Sequence, residues 1–296
     1  MRKYGASAVL AAALMMFSGC SAPKYHYEVR KDLSVYFGNA DSVIQSVREA
    51  FRERCPEITI EYVSHSDNME DIAAVVNELV TFAMSETDDP CEGDYLYHQY
   101  GGYELGYSRS EISGGRYSYT VTIVPGYYTT TEQEKQVTAR VNETVGKIGS
   151  ECVSDLDKVK AVYDYIYENV DYDRVHAKNE HYHLKTTAYA ALIQKSAVCQ
   201  GYSVLMYRML RELGVDCRVI TGMALGENSS EYHAWNIVRL GGTYYNIDIT
   251  WDRQTESRGW FLKGDRTFSA DHIRDTEYST EEFYGKYPMS EEDMNI

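Results

Sequence analysis

The chain has 296 residues, 44% of them hydrophobic and 25% charged, which is room for one large or two ordinary domains with a buried core. With 45 acidic against 29 basic residues its net charge is −16, which excludes a nucleic-acid partner held by phosphate neutralisation. The acidity reads as solubility rather than as an acidic binding face. A buried tyrosine must place its hydroxyl on a partner, so 28 tyrosines against 7 phenylalanines point to half-exposed sheet faces or a groove.

Arg2 and Lys3 open the chain and Ala6 to Phe17 is apolar, shorter than a bilayer-spanning helix. Phe17-Ser18-Gly19-Cys20 then resembles a bacterial lipoprotein signal, in which cleavage leaves a lipid-modified cysteine, here Cys20; Leu is usual where Phe17 stands. Residues 1–20 are therefore expected to be a leader. The protein is expected at the outer face of a bacterial membrane, anchored through Cys20; the other reading is an ordinary secretory signal and a secreted soluble protein. No later apolar run reaches the roughly 18 residues of a second span.

Residues 25–130 read as a small α+β region. Asp41 to Arg54 carries Val43, Ile44, Val47, Ala50 and Phe51 at helical spacing, stopped by Pro56; Glu57 to Val63 alternates like a strand. Met69 to Met84 is a second amphipathic helix. Gly101-Gly102 between Asp94–Tyr100 and Tyr103–Arg109 signals a hairpin, and Arg116 to Val124 is a further strand. Nothing in this region reads as chemistry.

Residues 131–296 read as a catalytic domain. Thr131-x-x-Glu134 and Ser154-x-x-Asp157 are capping boxes that open two helices, the second running to about Asn169. Val170 to His183 is a polar loop, where His176, His181 and His183 read as solvated side chains. Thr187 to Lys195 is helical in pattern and Ser196–Tyr202 breaks it. Ser203 to Leu213 is a strongly apolar helix, so Cys199 falls at or just before a helix N-terminus, where the macrodipole and backbone N–H groups favour a thiolate. Gly201 is expected to admit close approach of a substrate.

Val215 to Met223 then reads as a strand, and Glu231–Leu240 with Thr243–Thr250 as a hairpin about Gly241-Gly242. If Leu240 faces Thr243, Trp235 faces Asp248 and His233 faces Thr250. His233 and Asp248 then project from one face as diagonal neighbours, roughly 7–8 Å apart at Cα. Trp235 shares that face and is expected to screen them from water. A thiol, an imidazole and a carboxylate so arranged are what nucleophilic cysteine catalysis requires.

Of six cysteines, Cys20 and Cys199 have roles in this reading. Cys55 with Cys91, and Cys152 with Cys217, are candidate disulfide partners in an oxidising compartment, their connectivity left open by spacing. No Cys-x-x-Cys or His-x-x-x-His spacing suggests a zinc site, and neither metal nor cofactor is expected.

Three motifs carry a family resemblance: Ala197-Val198-Cys199-Gln200-Gly201-Tyr202, Tyr232-His233-Ala234-Trp235-Asn236, and Tyr245-Asn246-Ile247-Asp248-Ile249-Thr250-Trp251-Asp252. With Thr187–Leu192, Asp164-Tyr165-Ile166, Val170–Asp173, Phe261–Asp265 and Asp271-His272, roughly residues 154–275 resemble the bacterial transglutaminase-like superfamily. The resemblance implies an α+β, papain-like core with Cys199 as nucleophile, His233 as base and Asp248 as orienter; Gln200 and Tyr189 are side-chain candidates for an oxyanion hole. It implies a protein or peptide substrate, with hydrolysis or amine transfer completing the reaction. A non-catalytic binding protein that keeps the fold and a Cys-His peptidoglycan amidase are the rival readings.

Overall fold

The computed structural model describes residues 32–66, 68–226 and 230–295. The expected leader and its Cys20 lie outside the described residues. Two compact units form, one of residues 32–86 and 100–127, the other of residues 87–99 and 128–295.

In the first unit, α1 (Ala40–Arg52) starts at Asn39, whose side chain accepts the Ser42 N–H. β1 (Ile58–Ser64) and α2 (Met69–Ala83) follow. β2 (Tyr100–Ile112) and β3 (Arg116–Tyr127) complete an antiparallel sheet in the order β1-β3-β2. The hairpin turn lies at Ser113-Gly114-Gly115, not at Gly101-Gly102. Gly114 and Gly115 both adopt positive φ (80° and 66°), as a tight turn demands, whereas Gly101-Gly102 lies within β2 at a register shift between Tyr100 and Tyr103. Ile58, Ile60 and Tyr62 are buried with Tyr119, Val121 and Ile123. Tyrosines on this sheet do find hydroxyl partners: Tyr119 donates to the carbonyl of Ser66 (2.7 Å) and Tyr127 to that of Cys55 (3.0 Å).

The second unit begins with a short helix, α3 (Asp94–Tyr97), where a strand end was expected. α4 (Thr131–Glu151) is capped one residue earlier than expected, by the reciprocal pair Thr130 and Gln133, because Glu134 is taken by the hydroxyls of Tyr95 and Thr129. α5 (Asp155–Asn169) opens on the Ser154–Asp157 box. After the two-residue parallel pair β4 (Asp171–Tyr172) and β5 (Ser196–Ala197) comes α6 (Cys199–Glu212), buried along nearly its whole length. The stretch expected as an ordinary helix is a π-helix over Ala190–Gln194. The sheet beside α6 is built from β6 (Cys217–Leu225), β7 (Ser230–Leu240), β8 (Thr243–Ile247) and, after α7 (Ile249–Thr255) and α8 (Asp265–Phe268), β9 (His272–Arg274), with α9 (Glu281–Lys286) last. Its order is β8-β7-β6-β9, antiparallel throughout.

Cys55, Cys91, Cys152 and Cys217 are free thiols, so neither candidate disulfide forms. Cys217 points into the core, its sulfur 3.6 Å from the Asn236 amide. No helix among the described residues is long and apolar enough to cross a membrane.

The start of the second unit is tied to β6 by a buried ion pair. Asp94 accepts from Arg218 Nε (2.8 Å) and Nη2 (2.9 Å) and from the Val219 N–H (2.7 Å). Burial raises the Asp94 pKa, but the Arg218 charge and these hydrogen bonds outweigh it and hold the carboxyl below its usual range. A depressed carboxylate stabilises the fold above its unfolded pKa and loses that contribution as pH falls. Asp94→Ala is expected to lower unfolding free energy by about 2–3 kcal/mol at pH 7, because it removes the buried carboxylate that accepts from Arg218 and the Val219 N–H. In urea titrations the gap from wild type should narrow below about pH 4.

Candidate active site

Cys199 is the first residue of α6 and is 6% exposed. Its N-cap, Val198, is extended and offers no capping side chain, so the positive end of α6 is left to its backbone N–H groups. Val198 is itself held by its N–H to the carbonyl of Lys185 (3.0 Å). Gly201 serves the chain's own packing rather than the approach of a substrate. A Cβ there would lie 2.8 Å from the Ala197 Cβ, 3.0 Å from the Lys185 oxygen and 3.1 Å from the Thr187 oxygen. The first turn of α6 is therefore pressed against backbone, and only glycine fits.

His233 lies on β7, opposite Gly222 of β6, and is 2% exposed. The Asn236 amide on β7 donates to the carbonyl of Ser203 on α6 (3.0 Å), and the Ser203 hydroxyl donates to the carbonyl of Cys199 (3.0 Å). β7 is thus fastened to α6 one turn beyond Cys199.

Asp248 is fully buried. The hairpin register is Leu240 opposite Thr243, as the alternation implies, but β8 ends at Ile247. Asp248 is the N-cap of α7, not a strand residue, because its Oδ1 accepts the N–H groups of Thr250 (3.0 Å) and Trp251 (3.1 Å) and turns the chain into a helix. Its Oδ2 accepts from His233 Nε2 at 2.8 Å. Burial alone would raise the Asp248 pKa; the two neighbouring imidazoles, His233 and His272, reverse that and hold it well below the carboxylate range.

His272 is the site residue whose role sequence reasoning missed. Its Nε2 lies 3.1 Å from Asp248 Oδ2 and its Nδ1 lies 2.6 Å from Asp271 Oδ1. The only signal for it was the Asp271-His272 dipeptide in the tail of the resemblance, 24 residues beyond Asp248. Trp235 does screen this cluster, fully buried with its ring centroid 6.4 Å from that of His233, and Trp251 closes another side at 5.8 Å. Asp252 fastens the following turn, accepting from the Tyr163 hydroxyl (2.7 Å) and the Trp260 N–H (3.0 Å).

Gln200 donates its side-chain amide to the carbonyl of His98 at 2.5 Å, so this oxyanion candidate is engaged by backbone of its own unit. Tyr189 is half-buried at the head of the π-helix. The loop histidines do not converge: His176 pairs with Asp173 (2.8 Å) and His183 stacks on Tyr128 (4.7 Å). Among the described residues, potential metal-ligating atoms gather at His233, Asp248 and His272, all within 4.8 Å of one another. There the shared hydrogen bonds already satisfy the carboxylate.

Residues 142–249 match the family model of the transglutaminase-like superfamily. The chain carries a transglutaminase-like domain. Cys199, His233 and Asp248 all fall inside that match. Over 126 residues the chain is 34% identical to the kyphoscoliosis peptidase of Mus musculus and 32% identical to that of Homo sapiens, in each case over 39% of this chain and 19% of the relative. The match therefore spans less than a quarter of those curated relatives. Among solved structures, a TGase is similar at 22% identity over 49% of this chain and 45% of its own, with a TM-score of 0.36. The transglutaminase-like domain of this chain is α+β, with helix α6 against an antiparallel sheet.

Gly201→Ala is expected to lower stability by about 1–3 kcal/mol through overpacking against fixed backbone. Thermal melts should show a clear drop in midpoint, and an unchanged midpoint would mean that the first turn of α6 has room to move.

Proposed function

We propose that this protein is an exported, lipid-anchored thiol enzyme that acts on amide bonds of proteins or peptides through an acyl-enzyme at Cys199. The observation that carries the reading is the buried 2.8 Å hydrogen bond from His233 Nε2 to Asp248, on a strand fastened to the helix that Cys199 begins. The exported, anchored state rests on the leader pattern ending at Cys20.

With Nε2–H given to an ionised Asp248, Nδ1 of His233 is the basic nitrogen. It takes the Cys199 proton as the sulfur attacks the amide carbonyl, forming the C–S bond and an oxyanion. The backbone N–H groups at the start of α6 are the donors that stabilise this oxyanion. On collapse the C–N bond breaks, and the imidazolium of His233 protonates the leaving amine. Water, deprotonated by His233, then attacks the thioester and frees the carboxylate and the thiol. An amine in place of water would give transfer. Hydrolysis is favoured by the abundance of water outside the cell, and the curated relatives bear the name peptidase.

Iodoacetamide at neutral pH should label Cys199 faster than the other thiols, with sites resolved by mass spectrometry. His233→Ala should abolish that preference, and Asp248→Asn should slow the enzyme by about 10²-fold or more by spoiling the imidazole's tautomer. Incubation with a protein and with cell-wall muropeptides, followed by mass spectrometry, should yield new peptide termini from the protein. An ordinary thiol at Cys199, alkylated no faster than Cys152, would refute the enzyme reading and leave a binding protein.

A further inference from the structure

We propose that His272, anchored by Asp271, is a positioning residue of this site that sets the Asp248 carboxylate for His233. The inference rests on the thiol-enzyme reading above and adds a residue to it.

Asp248, Trp260, Asp271 and His272 close a ring of hydrogen bonds. The Asp248 N–H donates to the carbonyl of Trp260 (3.0 Å), and the Trp260 indole N–H donates to Asp271 Oδ2 (3.1 Å). Asp271 Oδ1 lies 2.6 Å from His272 Nδ1, and His272 Nε2 returns to Asp248 Oδ2 at 3.1 Å. An ionised carboxylate only accepts, so both ring nitrogens of His272 are donors, Nε2 to Asp248 and Nδ1 to Asp271. Asp248 then receives two backbone N–H groups on Oδ1 and two imidazole N–H groups on Oδ2, which fills the roughly four acceptor directions of a carboxylate. It has no direction left in which to rotate or to take up water.

His272 is brought there by close strand pairing. Its side chain is 0% exposed. Its ring stacks on Phe268 (centroids 4.0 Å apart, 22° between planes) and lies 4.6 Å from Trp251. β9 reaches β6 beside Gly222, the cross-strand partner of His233, where a Cβ would stand 2.0 Å from the Ile273 oxygen. The outer end of the ring, Asp271, is 30% exposed in its side chain.

Two substitutions separate a positioning role from core packing. His272→Phe keeps an aromatic ring on Phe268 and removes the donor; His272→Gln keeps an N–H donor and loses the ring. The readout is the rate of Cys199 alkylation by iodoacetamide at pH 7, with circular dichroism as the check on folding. His272→Phe should be slower than wild type by about 10-fold or more, and His272→Gln should recover most of the rate. If His272→Phe matches wild type, or if the two variants are equally slow, the positioning role is overturned. Should both fail to fold, Asp271→Ala decides. It is expected to slow alkylation by at least about threefold, and a wild-type rate overturns the proposal. Wild-type Cys199 reacting like an ordinary thiol would instead remove the thiol-enzyme reading, and the positioning role with it.

Discussion

A carboxylate with no exposed surface, held by four N–H donors, is the interaction around which the second unit is organised. Burying an ion costs several kcal/mol unless its lone pairs are met. At Asp248 they are met from three directions: the first turn of α7, the strand that carries His233, and the edge strand that carries His272. Each direction comes from a separate part of the chain. The carboxylate therefore records whether β7, β9 and α7 have all reached their places. Its low pKa is the thermodynamic side of the same fact, since donors that favour the charged form stabilise the fold wherever that form prevails.

The Cys199 end of the site is held by different physics. α6 is fixed at its start by backbone: Val198 on the Lys185 carbonyl, and Gly201 against the Lys185 and Thr187 oxygens. Lys185 is itself buried, and its ammonium donates to three carbonyls, those of His176, Ala177 and Asn179. One residue thus orders the loop before the helix with its side chain and the cap of the helix with its backbone. A helix start without a capping side chain, backed by fixed backbone, keeps its N–H groups aimed in one direction, which is what a thiolate or an oxyanion needs.

Local signals were legible in the sequence where the interaction they depend on is itself local. Ser154 and Asp157 form the expected capping box, and Leu240 faces Thr243 across Gly241-Gly242. Both depend on residues at most a few positions apart. The same signals misled where a distant group competed. Glu134 was drawn away by Tyr95, which moved the cap of α4 to Thr130. Two Gly-Gly pairs stood near the first hairpin, and strand pairing across β3 chose the second. The strand expected to run to Thr250 ended at Ile247 because the Asp248 side chain found N–H groups ahead of it and began a helix.

The sequence by itself determined the residue types, their order and a helix N-terminus at or just after Cys199, since periodicity and motif spacing are carried within a few turns of chain; that the helix takes in Cys199 itself, four residues ahead of the apolar run from Ser203, was added by the structure. It also placed His233 and Asp248 within reach of each other, because one tight hairpin relates them. Only the tertiary structure decided that Asp248 sits at a helix cap, that Gln200 turns to His98, and that His272 closes the ring about the carboxylate. Those outcomes depend on which distant group arrives to satisfy a buried polar atom. Such pairing is settled by close approach of strands, here permitted by a glycine opposite His233, and leaves no periodic trace along the chain.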